Sequence, residues 1–495
     1  MPETKCSHVP HGIYCNRTLN LGAVRAIGYD MDYTLIHYRM QSWEERAYRY
    51  VKEGLRRAGW PVEHLVFDSD LAMRGLVIDI ELGNVVKANR FGYIKRAFHG
   101  SRPLEFDVQR RSYQRVLVDL NEPRWHFLNT LFSISEACLF MQLVDLLDGG
   151  ALPGCLGYED LFRRIRRAAD EAHMEGRLKA EIISDPDQFV EPDEDIPLTL
   201  LDQKKAGKKI LLISNSEWSY AGPMLAYAFD RFMPKSRTWR DLFDIIIVGA
   251  RKPDFFSLPM PAFEVVDEQA GLLREHRGPL VPGRVYMGAN AGLVERSLGV
   301  TGEEILYVGD HIFVDVNVSK SVLRWRTALV IRELEEEIAV MERFESQQAE
   351  LAALMEAKER MELQYCSLRL LAQRIQKRYG PHLPGTNLQE FQRGMAELHD
   401  RIAEIDARIS PFAQASGQLL NPNWGLLMRT GIDKSHLARQ VERYADIYMA
   451  RVSNFLRASP FAFLRSSRMS LPHDRECRPG NGAPFLEKDP LSGPA

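Results

Sequence analysis

Five short apolar runs punctuate the chain, at residues 24–29, 210–213, 245–248, 305–308 and 327–331. Most are rich in Ile, Val and Leu, and the first four run directly into small, polar or charged residues. Runs of this length predict strands buried on both faces, and the helical stretches between them predict a parallel sheet covered on either side. In such a sheet ligands bind beyond the carboxyl ends of the strands. Asp30, Ser214, Lys252 and Asp310 stand at or just after those ends.

About 180 residues separate the first two runs, against the dozen or so a crossover requires. That surplus predicts a domain of its own, a lid inserted over the site. Within it, 76–82 and 93–98 flank Gly83, Asn84 and Gly92 and read as a hairpin, and one helix is expected from Tyr158 to about Lys179. The acidic, Pro-containing stretch 185–195 would return the chain to the core. From 333 to 377 the chain is free of Gly and Pro, with apolar residues at mostly helical spacing. It predicts a long helix, paired in a hairpin with 388–409. The expected units are therefore a first strand segment (1–37), a cap (38–200), the rest of the core (201–332), a long helix or helical hairpin (333–410), a C-terminal helical region on the core or an oligomer interface (411–474), and a disordered tail (475–495).

Composition narrows the class. The chain has 495 residues, 45% hydrophobic and 26% charged, and a formal net charge of −3. A general nucleic-acid binder would need a basic surplus, so no nucleic-acid partner is expected. Six cysteines are scattered with no CxxC pair, the pattern of idle thiols in a reducing compartment. No apolar run reaches the length of a membrane span, and residues 1–13 have no apolar core for a signal peptide. The expectation is a cytoplasmic protein without a membrane partner.

Four segments could carry chemistry. Asp30-Met31-Asp32-Tyr33-Thr34 places two carboxylates after a strand, with Thr34 able to cap the next helix. Ser214-Asn215-Ser216 offers hydroxyls and an amide that could cradle phosphate at a helix start. Lys252 precedes Pro253, which favours an extended lysine. Asp310 and Asp315 follow Gly309. Taken alone, each is equally the pattern of a capped turn or a solvated loop. Carboxylates brought this close would repel unless a cation or Lys252 neutralised them, and hard oxygen donors point to Mg²⁺.

In order, at successive strand ends, the four segments resemble the motifs of the haloacid-dehalogenase-type phosphohydrolases. The chain is further similar to the cytosolic purine 5′-nucleotidase (5′-nucleotidase II) family. The likeness runs through His11–Leu19, Gly28–Leu35, Gly83–Lys87, Arg96–Gly100, Leu128–Phe132, Ala250–Pro253, Tyr307–Phe313 and Gly425–Tyr448. The resemblance implies a doubly wound, Rossmann-like sheet with an inserted α+β cap and a helical C-terminal extension. It implies Asp30 as nucleophile and Asp32 as general acid and base, with Mg²⁺ held by Asp30, the Asp32 carbonyl and Asp310. Ser214, Asn215, Ser216, Lys179 and Lys252 would hold phosphate, and Asp315 would orient Lys252 or a metal-bound water. On the lid, Arg166 and Asp170 would read a purine base, with Phe132 and His173 stacking on it. At helical spacing Arg166, Asp170 and His173 share a face, which without the family reads as a solvated charged face. Purine nucleoside monophosphates are the implied substrates, with transfer to another nucleoside as a side reaction, and dimers or tetramers are the implied assembly.

There are departures from the family pattern. Met174 stands where an aromatic is usual, Asn89 where Asp is, and Ser214 where Thr is. The stretch 314–317 also differs. Two other readings stay open: the same chemistry on a pyrimidine nucleotide or sugar phosphate, and a non-catalytic interaction protein that uses 333–377 as a partner helix.

Overall fold

The five apolar runs lie side by side. In the computed structural model, which describes residues 12–174, 176–380 and 387–467 but not the side chains of 172–174, they form the parallel centre of a ten-stranded sheet. Across it run Arg326–Val330, Ile305–Gly309, Ala26–Tyr29, Lys209–Ile213 and Ile245–Val248. The expected tail at 475–495 lies outside the described residues, as do residues 1–11. Side chains alternate between the faces, as strand geometry requires. Ile210 and Leu212 join one apolar cluster with Ile196, Leu200, Ala221 and Leu225, whereas Leu211 and Ile213 join another with Phe255, Val294 and Trp325. Helices Asp195–Lys205 and Trp218–Phe229 cover the first face, and Ala291–Leu298 covers the second. The fold is α/β, doubly wound on a mostly parallel sheet.

Five further strands extend the sheet beyond the expected ones. Val285–Gly288 adds in parallel, followed by the antiparallel hairpin Ala262–Asp267 and Leu272–His276. At the other edge Ile447–Met449 pairs in parallel with Arg326–Val330, and Ile13–Cys15 closes antiparallel. These strands are three to six residues long, and the hairpin strands are largely exposed. Neither feature produces a long apolar run, so pattern reading passes over them.

The chain leaves the core at His37–Tyr38 and returns at Val190–Glu191, and the two segments pair antiparallel as a narrow neck. Between them sits the lid. Its sheet has five antiparallel strands in the order Arg102–Pro103, Ile94–His99, Asn84–Ala88, Val77–Asp79 and Trp125–Phe127, packed on helices Met40–Arg57, Ile134–Asp148 and Tyr158–Met174. The expected hairpin is thus corrected, because Asn84–Ala88 is itself a central strand. Its polar members hide the pattern. Asn84 is buried against Tyr113 (2.6 Å) and His99 (2.7 Å), and Lys87 is buried with its ammonium on the carbonyls of Trp424 (2.6 Å) and Leu426.

Two helices also differ from expectation. The lid helix ends at Met174 and a second begins at Arg177, because Gly176 takes φ +66°, the left-handed conformation that glycine tolerates. Arg166 and Asp170 therefore sit on one helix and Lys179 on another. The long C-terminal stretch breaks at Phe344 into Leu334–Arg343 and Glu345–Lys377, and the hairpin partner extends over Leu388–Ser416. Thr34 caps no helix: it is fully buried with its hydroxyl unpartnered, and the turn closes through main-chain bonds from residues 34–36 to the Met31 carbonyl.

The segment 420–449 fastens lid to core. Trp424 packs on Phe98 with ring centroids 4.5 Å apart, and Glu337 accepts the amides of Leu427 and Met428 (3.2 Å for the latter). Asn89 accepts from the amides of Phe91 and Tyr93 (3.0 Å each) and donates to Asp433 (2.9 Å). That donation explains the departure at this position, since an aspartate would set two carboxylates against each other.

One lid acid has a consequence for stability. Glu44, on the first lid helix, is fully buried, with one oxygen accepting Ser135 N–H (2.7 Å) and the other unpartnered. Burial pushes its pKa up to about 8, against the hydrogen bonds from Ser135. The folded state then holds a proton that the unfolded chain releases above about pH 4.3, so stability falls as pH rises toward 8. Glu44→Gln should therefore gain on the wild type as pH goes from 5 to 8, measured as the difference between their thermal midpoints. A constant difference would show that Glu44 is ionised throughout.

Candidate active site

The carboxyl ends of the central strands meet around one ammonium. Lys252 Nζ lies 2.7 Å from Asp30 Oδ1, 2.8 Å from Asp315 Oδ1 and 3.0 Å from Tyr307 Oη. Asp30 and Lys252 reach this point from two different strand ends, whereas Tyr307 lies within, and Asp315 just after, a third strand, Ile305–Gly309. Asp30 directly follows Ala26–Tyr29, and its N–H bonds Val308 O (2.9 Å), continuing the sheet. Lys252 is held by Asn215, whose amide accepts Lys252 N–H (2.6 Å) and donates to Lys252 O (3.1 Å). Asp315 comes from a wide helical turn, Ile312–Asn317, that carries it back over Gly309. A Cβ at Gly309 would stand 2.5 Å from Asp315 Oδ2, so only glycine leaves the room.

Asp310 completes the cluster. Asp30, Asp310 and Asp315, all buried, each offer an oxygen within 4.8 Å of the others, and they form the one such acidic group among the described residues. Burial pushes Asp30 up to about 7; Lys252 opposes that shift, while Asp315 and Asp32 add to it. Burial, with Asp315 and Asp30, raises Asp310 far above the usual carboxylate range. Burial works against the Lys252 ammonium, but Asp30 and Asp315 outweigh it and keep it charged. One lysine does not satisfy three buried acids. This donor set, hard oxygens with a charge deficit, fits a divalent cation held between Asp30 and Asp310.

Asp32 faces elsewhere. Its carboxylate accepts Tyr38 Oη (2.5 Å) and Ser216 Oγ (2.7 Å), so of the expected metal ligands it could contribute only its main-chain carbonyl. Tyr38 Oη is also 3.0 Å from Tyr220 Oη. Lys179, from the second lid helix, reaches Ser216 Oγ (3.3 Å) and lies over the Tyr220 ring, 4.9 Å from its centroid. Ser214 Oγ accepts Ser216 N–H (3.0 Å) and so shapes the loop. Phe132 packs edge-on against Tyr33, with centroids 4.7 Å apart, three residues from Asp30. Arg166 forms its own group on the lid, bonded to the buried Glu136 (3.2 Å). Burial raises Glu136 to about 7, with Arg166 lowering it and Asp170 raising it. The side chain of His173 lies outside the described residues.

Some groups escaped the sequence reading. Arg74 is buried, donates to the Asp310 carbonyl and to Asn129 O (2.9 Å), and lies 3.6 Å from Glu333. It ties a lid loop to a strand end of the core. A lone cation in the apolar run from Leu71 to Ile78 was the available signal. Tyr38, Tyr307 and Glu136 gave none, since each reads as an ordinary member of its element.

This sheet and this cluster define a phosphoryl-transfer site of the α/β type, with an acidic nucleophile candidate, a fixed lysine and a lid. The 5′ nucleotidase family model matches residues 13–476, and the chain belongs to that family. It is a phosphoric monoester hydrolase by that membership. A 5′-nucleotidase domain-containing protein of Dictyostelium discoideum is 26% identical over 488 residues, covering 94% of this chain and 76% of that protein. Among solved structures, an archaeal β-phosphoglucomutase from Pyrococcus sp. strain ST 04 overlaps 62% of this chain and 87% of its own, at 12% identity and a TM-score of 0.30. CbbY from Rhodobacter sphaeroides, in complex with phosphate, overlaps 62% and 86%, at 13% identity and a TM-score of 0.23. Among the described residues no helix is long and apolar enough to cross a membrane.

Removing the central cation has a direct cost. Lys252→Met leaves Asp30 and Asp315 buried without their partner, and should lower unfolding stability in urea by about 3–5 kcal/mol. An unchanged urea midpoint would mean the acids are neutral without the lysine.

Proposed function

We propose that this chain is a cytoplasmic, Mg²⁺-dependent 5′-nucleotidase that hydrolyses purine nucleoside 5′-monophosphates of the IMP or GMP kind through an aspartyl-phosphate. The observation that carries the reading is the placement of Lys252 Nζ 2.7 Å from Asp30, inside a buried acidic cluster at the strand ends. A carboxylate so held is oriented to attack, and a lysine so held can neutralise a transferring phosphoryl group.

In the first step an Asp30 oxygen attacks phosphorus in line, and the bond from phosphorus to the 5′ oxygen breaks. Asp32, protonated, gives its proton to that oxygen and the nucleoside leaves. In the second step Asp32 takes a proton from water, the water oxygen bonds to phosphorus, and the acyl-phosphate bond breaks to free phosphate and Asp30. Tyr38 and Ser216 hold the Asp32 carboxyl between them, which fixes its direction through both transfers. Lys252, Lys179 and the loop Ser214–Ser216 would hold the phosphate oxygens. When bound by Asp30, Asp310 and the Asp32 carbonyl, Mg²⁺ supplies charge compensation for phosphate and nucleophile.

The lid supports the base assignment by position. Phe132 stands against Tyr33 beside the nucleophile loop, and Arg166 and Asp170 occupy one helix with Lys179 on the next. The pairing of Arg166 with Glu136 favours a second reading, the same chemistry on a pyrimidine nucleotide or sugar phosphate, because it occupies a base-reading group.

Phosphate release from IMP, GMP, AMP, UMP and a sugar phosphate, with and without Mg²⁺, tests both. Mg²⁺-dependent release led by IMP and GMP, and abolished by Asp30→Asn, is expected. Equal or better release from the non-purines would sink the base assignment and leave the chemistry standing; no release from any of them would sink the chemistry. Tyr38→Phe should lower kcat by about tenfold with little change in KM, because Ser216 still holds Asp32. A change confined to KM would place Tyr38 in binding instead.

A further inference from the structure

The neck pairs only Val190 with Tyr38 and Glu191 with His37, and so short a ladder has little stability of its own. What holds it lies outside it. At the sheet edge Arg326–Val330 and Ile447–Met449 run parallel, with Val330 level with Met449. Two residues further on, each segment carries an arginine, Arg332 and Arg451. Guanidiniums side by side repel unless acids stand between them, and Glu191 and Glu335 supply those acids. Glu191 Oε1 accepts from Arg332 (2.6 Å) and from Arg451 (2.7 Å). Glu335, in the first turn of Leu334–Arg343, accepts from Arg332 and from Arg451 Nε (2.5 Å) and Nη2 (3.2 Å). Charges thus alternate around a closed ring, in which each arginine meets both acids.

An isolated surface ion pair contributes little, but a network of charge-assisted bonds is the exception. The two guanidiniums are only 20% and 21% exposed. Burial works against both carboxylates, yet the arginines outweigh it and hold Glu191 and Glu335 below their ordinary range. Arg451 also lies 3.8 Å from Asp193, just past the neck, which accepts Ser453 Oγ (2.7 Å). His37, across from Glu191, is buried with neither ring nitrogen bonded, and burial together with the two arginines keeps it neutral. Of the four neck residues, Glu191 is therefore the one that the core arginines can grip by charge.

We infer that Arg332, Arg451, Glu191 and Glu335 form the fixed pivot of the lid and are positioning residues for hydrolysis. By clamping the neck they keep the Tyr38 hydroxyl on the Asp32 carboxylate, 2.5 Å away. This rests on the reading of Asp32 as acid and base. Asp32 and Tyr220 both belong to the core, so a neck that shifts carries Tyr38 away from both. Arg74, which also ties lid to core, acts on the Asp310 carbonyl instead.

Glu191→Gln keeps the shape and removes the charge, leaving two arginines to one acid of the ring. Hydrogen exchange on the full chain should then be about tenfold faster or more at amides 36–39 and 189–192, and unchanged in strands 26–29 and 305–309. In turnover of a nucleoside monophosphate, kcat should fall about three- to tenfold with KM kept. In the Tyr38→Phe background the same substitution should change kcat by less than about twofold, since both act through one contact. Arg451→Lys keeps the charge but cannot present a planar fork to both acids, and should reproduce Glu191→Gln in both measurements. Unchanged neck exchange, faster exchange spread evenly through the core strands, an unchanged kcat, or losses that multiply in the double variant would each overturn the inference. A wild type silent on every phosphoester would sink the reading of Asp32 instead, and the exchange result alone would then decide the pivot.

Discussion

The ion pairing around Lys252 is the constraint on which the rest of the site depends. Its side chain is 2% exposed and that of Asp315 is fully buried, so neither can rely on water. Taking such charges out of solvent costs several kcal/mol per ion, and only close, directional contacts offset that cost. The structure supplies them from three neighbouring strands at once: Asp30 after the first, Asn215 on the lysine main chain after the second, and Tyr307 with the Ile312–Asn317 turn from the third. A shift of one strand relative to its neighbour would pull one of these groups out of range. The parallel register is thereby coupled to the site, since the arrangement that stabilises the buried lysine also fixes the Asp30 carboxylate.

The lid depends on the same constraint. Arg74 contributes a second buried cation, and it acts through the Asp310 carbonyl and the loop that leads to Phe132. The neck at His37–Tyr38 and Val190–Glu191 joins lid to core by only two short strands, which alone would leave it free to swing. Arg74 and the segment around Trp424 add further attachments on other sides. Tyr38 lies in the neck itself and touches Asp32, so the position of the lid and the orientation of the Asp32 carboxylate are mechanically linked.

How much of this could be read from the sequence follows from what each residue must do. Asp30, Lys252, Asp310 and Asp315 were legible because they recur in order after successive apolar strands, although each alone reads as an ordinary turn or loop. Their gathering was legible only through the family resemblance, since it depends on strand order, which short runs do not encode. Asn215 was expected as a phosphate ligand, and its side-chain amide has the further task of fixing the Lys252 main chain, which nothing local in the sequence signals. Strands such as Asn84–Ala88 were missed because buried Asn and Lys interrupt the apolar pattern, and their partners lie far away in sequence. The split at Gly176 was legible in principle, a glycine inside a helical stretch, but the apolar spacing continues on both sides and outweighed it.

That split bears on how specificity is built. Had the lid carried one helix, Arg166 and Lys179 would be fixed relative to each other, and any change in base contact would disturb the phosphate contact. With Gly176 between them, Lys179 packs with Ser216 and Tyr220 of the core, while Arg166 answers to Glu136 on a different lid helix. Lys179 is thereby tied to the core and Arg166 to the lid's own interior. Substitutions at Glu136 or Arg166 then act within the lid, while the groups around Asp30 stay in place. A left-handed glycine between two helices provides that separation at small cost, since glycine takes that conformation without strain.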